Sequence, residues 1–492
     1  MVSFSSLATG FDLFNTPICY TSYMSDIATH ALRMQERDFV QAINSRHPEL
    51  LERPSTPDPD TILKTIGVTY LAPDRPRGYI RLYPQDFLVE EILLDGTIVR
   101  LDAASPFENA QDQRTLWVDL VKANLSGPHA MLDLQDGLGV ALGQLGYAGI
   151  KDAVAVTSQR LSLRGVTREA AERLQHPNFF LRPVRYGSGA IQAGELRGNR
   201  FTIVIRTEQR AAIDEAIERI KAQGCINFFG SQRFGPRLIA HRLGQKLLQQ
   251  DVDGAVRLFL SEAGIYDVPL YRDLRLALGE CYGAWPRALE LARRFPFTLR
   301  DEICVMQSLS QAPHKTRQAL GLIQAQVKLW IYAYGSWLIN RRLSEALVAN
   351  QSLPAELALP LSSHGPLPEY QELMRRDGTL GYLEALKYFP YVRPSDKKIQ
   401  TRITPQDFLW KQIPQGWIVR FALGKGAYAT ACLAHVFSLY ELTPVPEWVQ
   451  GGEIDALRDM GDGSIAPLHA RFASVLLRRD VRSEDSENTE AA

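Results

Sequence analysis

The chain runs to 492 residues, enough for two or three domains and a substantial hydrophobic core. A composition of 45% hydrophobic and 22% charged residues is that of a globular protein, and no uninterrupted apolar run is long enough to span a bilayer. Lysine plus arginine (55) balance aspartate plus glutamate (55), so any surface for a polyanion must be local.

In chain order, the opening MVSFSSLATGFDLFNTP lacks the basic start and continuous apolar core of a secretory signal. This predicts a soluble, cytoplasmic protein, with an organelle or the nucleus left open and no membrane partner. The five cysteines, Cys19, Cys225, Cys281, Cys304 and Cys432, are odd in number and widely spaced, which suits reduced thiols better than disulfides or a metal site. Residues 1–75 read as an N-terminal extension and linker. Helical apolar spacing covers about 24–44, and the Pro- and Asp-rich RPSTPDPD and APDRPRG follow. From 76 to 225 the texture is mixed: strand-like YIRLYPQDFLVEEIL and TLWVDLVKA, helical HAMLDLQDGLGVALGQLG, strand-like RFTIVIR, and an amphipathic helix over AAIDEAIERIKAQG ending at Gly224. Residues 226–401 have mainly helical spacing. Strand alternation returns over 402–445, where GKGAYATACLAHVFSLYEL reads as a turn entering a helix, and 446–492 form a tail whose acidic end, SEDSENTEAA, reads as disordered. Strands, a helix-rich block and strands again describe an α+β sheet domain with a helical domain inserted into it.

Within GYAGIKDAVAVTSQRLSL, at 146–163, the adjacent Lys151 and Asp152 follow Gly146 and Gly149, which places them in a tight loop between a helix and a strand. From spacing alone, Asp152 caps a turn, pairs with a nearby basic residue or supplies a reactive carboxylate. Between Asn227 and Gln250 the chain carries Arg233, Arg237, Arg242 and Lys246 with no acid among them, either the solvated face of a helix or a local polyanion surface. Trp330, Tyr332, Tyr334 and Trp337, at partly helical spacing, read as core.

GYAGIKDAVAVTSQ resembles the glycine-rich KD segment of the tRNA pseudouridine synthase D (TruD) family. Five more stretches resemble that family in the same order: PQDFLVEEI at 84–92, LRGNRFTIVIR at 196–206, NFFGSQRFG at 227–235, AYGSWLIN at 333–340 and GKGAYATACL at 424–433. The resemblance spans about residues 76–442. It implies a pseudouridine synthase fold, a mixed and largely antiparallel sheet with flanking helices, interrupted by an inserted TRUD-type domain. It further implies isomerisation of uridine to pseudouridine in RNA, most typically uridine-13 of transfer RNA, by an aspartate and without a cofactor. Asp152 is the counterpart of that aspartate, either as a nucleophile at C1' or as a base that removes the 2' proton to give a glycal. Both roles need an ionised carboxylate, which burial beneath a base opposes unless a cation or hydrogen-bond donors counter it. Lys151 is the candidate to hold that charge balance, Glu91 to organise charge beside Lys151, and Asn199 to fix the neighbouring loop.

Unstacking a uridine costs a few kcal/mol, and an aromatic face can return about 1 to 3 kcal/mol per base. Phe201 is the stacking candidate by resemblance. Arg233, Arg237 and Arg242 become candidates for phosphate contact, in a cleft that the inserted domain would form with the sheet domain. The chain departs from the family pattern where Ala153 and Val154 follow the KD pair in place of basic residues, and at Gly335, where glutamine is common. Fewer cations near Asp152 also suit a second reading, an RNA-binding or RNA-chaperone protein of the same fold with weak or absent catalysis. A glycosidase using Asp152 with Glu91 would need the second carboxylate across the sugar.

Overall fold

The structure, a computed structural model, describes residues 26–71, 74–105, 107–108, 114–187, 189–208 and 213–480. Cys19, the first 25 residues of the extension and the acidic tail 481–492 lie outside the described residues. The described residues divide into two compact units, one within 74–227 and 402–480 and the other within 26–71 and 228–401.

In the first unit, ten strands among the described residues form one sheet. We number β1 (Arg77–Tyr79), β2 (Phe87–Ile92), β3 (Thr115–Ala123), β4 (Leu145–Tyr147), β5 (Val156–Arg164), β6 (Phe179–Gly187) and β7 (Gly198–Arg206). The main path runs from strand Gln406–Ile413 through Gly416–Gly424, β7, β2, β5 and β3 to β6. Only the β2–β5 pairing on this path is parallel, so the sheet is mixed and largely antiparallel. Strand alternation sorts side chains to the two faces. Val89, Phe201 and Phe421 pack with helices Asp214–Gln223 and Ala429–Leu433 on one face, whereas Leu88, Val121, Val204 and Ile418 pack beneath Ile454–Leu476 on the other.

Glycines set two boundaries in this unit. Helix Gly127–Leu138 stops earlier than the helical spacing predicts because Gly139 adopts the left-handed conformation, φ 64°, and ends it. At Gly198, opening β7, an added Cβ would sit 2.1 Å from the Leu423 carbonyl oxygen, so the close pairing of β7 with Gly416–Gly424 requires glycine.

The second unit is helical. Its 25-residue helix Gln324–Val348 carries AYGSWLIN, and an added Cβ at Gly244 of helix Ala240–Leu248 would fall 2.1 Å from the Trp330 carbonyl oxygen, so these two helices meet at backbone contact. Trp330 and Tyr334 are buried, while Trp337 stacks on His241 with ring centroids 5.5 Å apart. The terminal Asn340 of AYGSWLIN is a fastener: its Nδ2 donates to the Ile66 and Phe229 carbonyls at 2.8 and 3.0 Å, and its Oδ1 accepts from Phe229 N at 2.8 Å. Helix Asp26–Arg46 joins this unit through Glu36, whose buried carboxylate accepts from Phe297 N and Thr298 N at 2.8 and 2.9 Å.

Candidate active site

The KD pair occupies the loop between β4 and β5, in the sheet unit. Gly146, in β4, is demanded by crowding: an added Cβ would lie 2.3 Å from Ser162 Oγ and 2.7 Å from the Ile191 carbonyl oxygen. Gly149 has ordinary room around it. Gln159 Nε2 donates to the Gly149 carbonyl at 3.3 Å, Asn124 N to the Ala155 carbonyl at 3.0 Å, and Lys122 Nζ to the Asp152 carbonyl at 2.5 Å. The loop is therefore held at its start, middle and end.

Asp152 keeps 23% of its side chain exposed, and its Oδ1 accepts from Arg81 Nη2 at 2.8 Å. The other terminal nitrogen of Arg81, Nη1, donates to Glu441 Oε2 at 2.6 Å, so one guanidinium bridges two carboxylates. Arg81 itself has φ +58°, a left-handed conformation unusual for a large side chain and held only where surrounding contacts over-determine it. Those contacts include the Phe87 ring, whose centroid lies 3.9 Å from the guanidinium carbon. Burial opposes charge on Arg81, yet Glu441 and Asp152 more than offset it and raise the pKa above the usual arginine value. For Glu441, burial pushes upward, and Arg81 with Arg479 outweighs it to hold the carboxyl below the usual range.

Lys151 is committed elsewhere. Its buried Nζ donates to Glu91 Oε2 at 2.6 Å, and Glu91 Oε1 accepts from Arg160 N at 3.1 Å. The cation facing Asp152 is thus Arg81, while Lys151 and Glu91 form a closed pair one residue away. Asn199 lies opposite Glu91 in the β2–β7 register, half-buried, with its Oδ1 buried and, among the described residues, without a hydrogen-bond partner. Phe201, two residues on, is 5% exposed and packs against Phe87 and Phe421 with ring centroids at 6.2 and 5.7 Å. Asp152, Arg81, Phe87 and Phe201 therefore form one run of contacts, with Glu91 and Asn199 on the strands that carry it.

The three arginines of the basic stretch belong to the helical unit and have protein partners. Arg233 Nε donates to Ser336 Oγ at 3.0 Å, and Arg237 Nη1 donates to the Glu262 carbonyl at 2.7 Å with Glu302 at 3.7 Å. The exposed Arg242 pairs with Glu262 at 2.5 Å. Among the described residues no group of three or more His, Cys, Asp or Glu side chains is placed to hold a metal ion. No described helix is long and apolar enough to cross a membrane.

A family model described as tRNA pseudouridine synthase D (TruD) matches residues 66–361, more than half of the chain. The chain belongs to the TruD family. It is accordingly a pseudouridine synthase, an isomerase. A Pyrobaculum neutrophilum protein named "Probable tRNA pseudouridine synthase D" is 27% identical over 408 residues, covering 76% of this chain and 95% of that protein. One of the same name from Thermococcus onnurineus is 28% identical over 414 residues, covering 73% and 94%. A crystal structure of a Methanosarcina mazei protein bearing the TruD name aligns with TM-score 0.56 and 20% identity, over 77% of this chain and 98% of that one. That alignment supports the α+β TruD fold expected from the sequence.

Arg81, Glu441 and Lys122 are the site residues that sequence reasoning passed over. Arg81 lies shortly before the DF strand in YIRLYPQDF, but nothing in its spacing reveals a partner 71 residues away. Lys122 did leave a signal. It continues the apolar face of β3 formed by Leu116, Val118 and Leu120, where strand alternation asks for another hydrophobic residue.

Proposed function

We propose that this TruD-family protein converts uridine-13 of transfer RNA to pseudouridine, with Asp152 as the catalytic carboxylate and with neither cofactor nor metal. The observation that carries the reading is Asp152's placement: partly open to solvent, on a loop anchored at three points, with a guanidinium at 2.8 Å. A carboxylate held in this way can act on the ribose either as a nucleophile at C1' or by taking the 2' proton. In either course the N1–C1' bond breaks, the uracil turns over, C5 bonds to C1', and the C5 proton departs as N1 gains one. Atoms and electrons balance without an external oxidant or reductant. Arg81 keeps the carboxylate aimed, while Lys151 is held by Glu91.

Asn199, whose Oδ1 has no partner among the described residues, is suited to hydrogen bonding at the base. Phe201 can offer a uracil only the margin of its ring, and its larger contribution is to support Phe87 beneath Arg81. Of the three arginines, Arg242 is best placed to exchange its exposed partner for a phosphate, because exposed ion pairs are worth little. The cytoplasm is the compartment where such a substrate would be met.

The test is to incubate purified protein with an unmodified transfer RNA transcript and map pseudouridine by carbodiimide modification and primer extension. Product is expected at position 13, none from a transcript with cytidine there, and undiminished yield after dialysis against a chelator. Product elsewhere would refute the assigned position, and RNA bound without product would favour the binding-only reading.

A further inference from the structure

Lys122 is fully buried, and its strand neighbours on the same face, Leu116, Val118 and Leu120, belong to an apolar cluster. It lies opposite Thr157 of β5 and Phe179 of β6, on the strand next to the sheet edge. Among the described residues no carboxylate oxygen is within ion-pair distance of its amine; its hydrogen bonds go to two backbone carbonyls, Leu125 at 2.8 Å and Asp152 at 2.5 Å. A lysine in such a place is expensive, since its charged form has lost water without gaining a counter-ion in contact. Desolvation lowers its pKa to about 7, with Asp152 opposing the shift and Lys151 adding to it. A leucine or methionine would fill the same apolar position without this penalty.

We propose that Lys122 is a positioning residue for the isomerisation: its amine grips the Asp152 carbonyl and thereby fixes the peptide from which the carboxylate reaches the ribose. The inference rests on the reading of Asp152 as the catalytic group. Two carbonyls converge on one nitrogen, and an amine with either two or three hydrogens can serve both. The Leu125 carbonyl ties the grip to the turn that leads into helix Gly127–Leu138, so the KD loop is referenced to the sheet and not only to its own ends. Arg81 acts on the carboxylate and Lys122 on the backbone of the same residue. Together they leave Asp152 little freedom to turn, the kind of preorganisation in which a misplacement of about 1 Å can cost roughly 100-fold in rate.

The test compares Lys122→Met with Lys122→Gln. The two side chains have similar length, but only glutamine carries N–H donors. Folding of each is checked by circular dichroism, and kcat and KM are measured on a transfer RNA transcript beside Asp152→Asn. We expect Lys122→Met to lower kcat by roughly 30-fold or more with KM within about threefold of wild type, and Lys122→Gln to recover about tenfold of that loss. A folded Lys122→Met with wild-type kcat, while Asp152→Asn is inactive, overturns the role of Lys122 alone. Wild-type kcat in Asp152→Asn overturns the underlying reading and this inference with it. Failure of both Lys122 variants to fold assigns the amine to stability and likewise overturns the proposal.

Discussion

Replacing Arg81 with methionine removes one charge and leaves two carboxylates facing an apolar side chain. The N–O distances of 2.8 Å to Asp152 and 2.6 Å to Glu441 put the charge centres about 4 Å apart, worth roughly 4 kcal/mol each at an effective dielectric of 20, before the desolvation of the guanidinium is set against them. Removing one member of a buried ion pair costs about 3–5 kcal/mol. Here the carboxylates retain 23% and 32% of their exposure and can be partly rehydrated, so a loss of about 2–3 kcal/mol in unfolding free energy is expected. The rate should fall more selectively. An oriented, charge-assisted hydrogen bond worth about 2–3 kcal/mol in the transition state corresponds to roughly 30- to 150-fold in kcat. Single-turnover formation of pseudouridine on saturating transfer RNA, with urea unfolding followed by circular dichroism, measures both quantities. A folded Arg81→Met protein whose single-turnover rate stays within threefold of wild type would refute the argument that Arg81 aims the carboxylate.

Glu441→Gln should cost stability at pH 7. Because the folded-state pKa of Glu441 lies below its ordinary value, its contribution is present above that value and fades as the pH falls through the lower one; urea midpoints for wild type and variant should therefore converge in acid, and a constant difference down to pH 3 would contradict this. Lys122 has the opposite dependence. With a folded pKa of about 7 against an unfolded 10.5, the unfolded chain binds more protons between these values, so wild-type stability should rise relative to Lys122→Met by about 2 kcal/mol from pH 7 to 9, and a flat difference would count against a desolvated amine. Glu91→Gln leaves the buried Lys151 ammonium without a carboxylate and should destabilise by about 3–5 kcal/mol, with Glu91→Leu/Lys151→Met recovering part of the loss; additive single effects in that cycle would rule out the pairing. Phe201→Leu should cost about 1–3 kcal/mol through its packing on Phe87 and Phe421 while slowing turnover less than tenfold, and a 100-fold rise in KM would instead show a base stacked on the ring.

What could be read in the sequence was what local pattern controls. The alternation of RFTIVIR gives β7, and the amphipathic spacing before Gly224 gives helix Asp214–Gln223, whose C-terminal glycine has φ 72°. The closing GKGAYATACLAHVFSLYEL contains the expected helix only at Ala429–Leu433, because Ser438–Tyr440 is drawn into a parallel pairing with β1 that no local spacing announces. At the candidate site, the glycines around Lys151 and Asp152 marked the loop between β4 and β5, and the DF segment marked the strand bearing Glu91. The pairing did not follow from adjacency: side chains of neighbouring residues diverge, so Lys151 turns to Glu91 and Asp152 to Arg81. Arg81 and Glu441 are 360 positions apart, and their contact exists only once the sheet is assembled. The spacing of Arg233, Arg237 and Arg242 likewise suggested a free basic face, but Ser336, Glu262 and Glu302 come from other parts of the helical unit to meet them. Burial of Phe201 is of the same kind, since a GNRF motif fixes its strand and not what covers the ring.

Single-turnover conversion of a transfer RNA transcript by wild type and by Asp152→Asn, with RNA affinity measured on both, tests the central claim most directly. The variant should bind RNA within a few-fold of wild type and form no detectable pseudouridine. Pseudouridine made by Asp152→Asn at the wild-type rate would contradict the account.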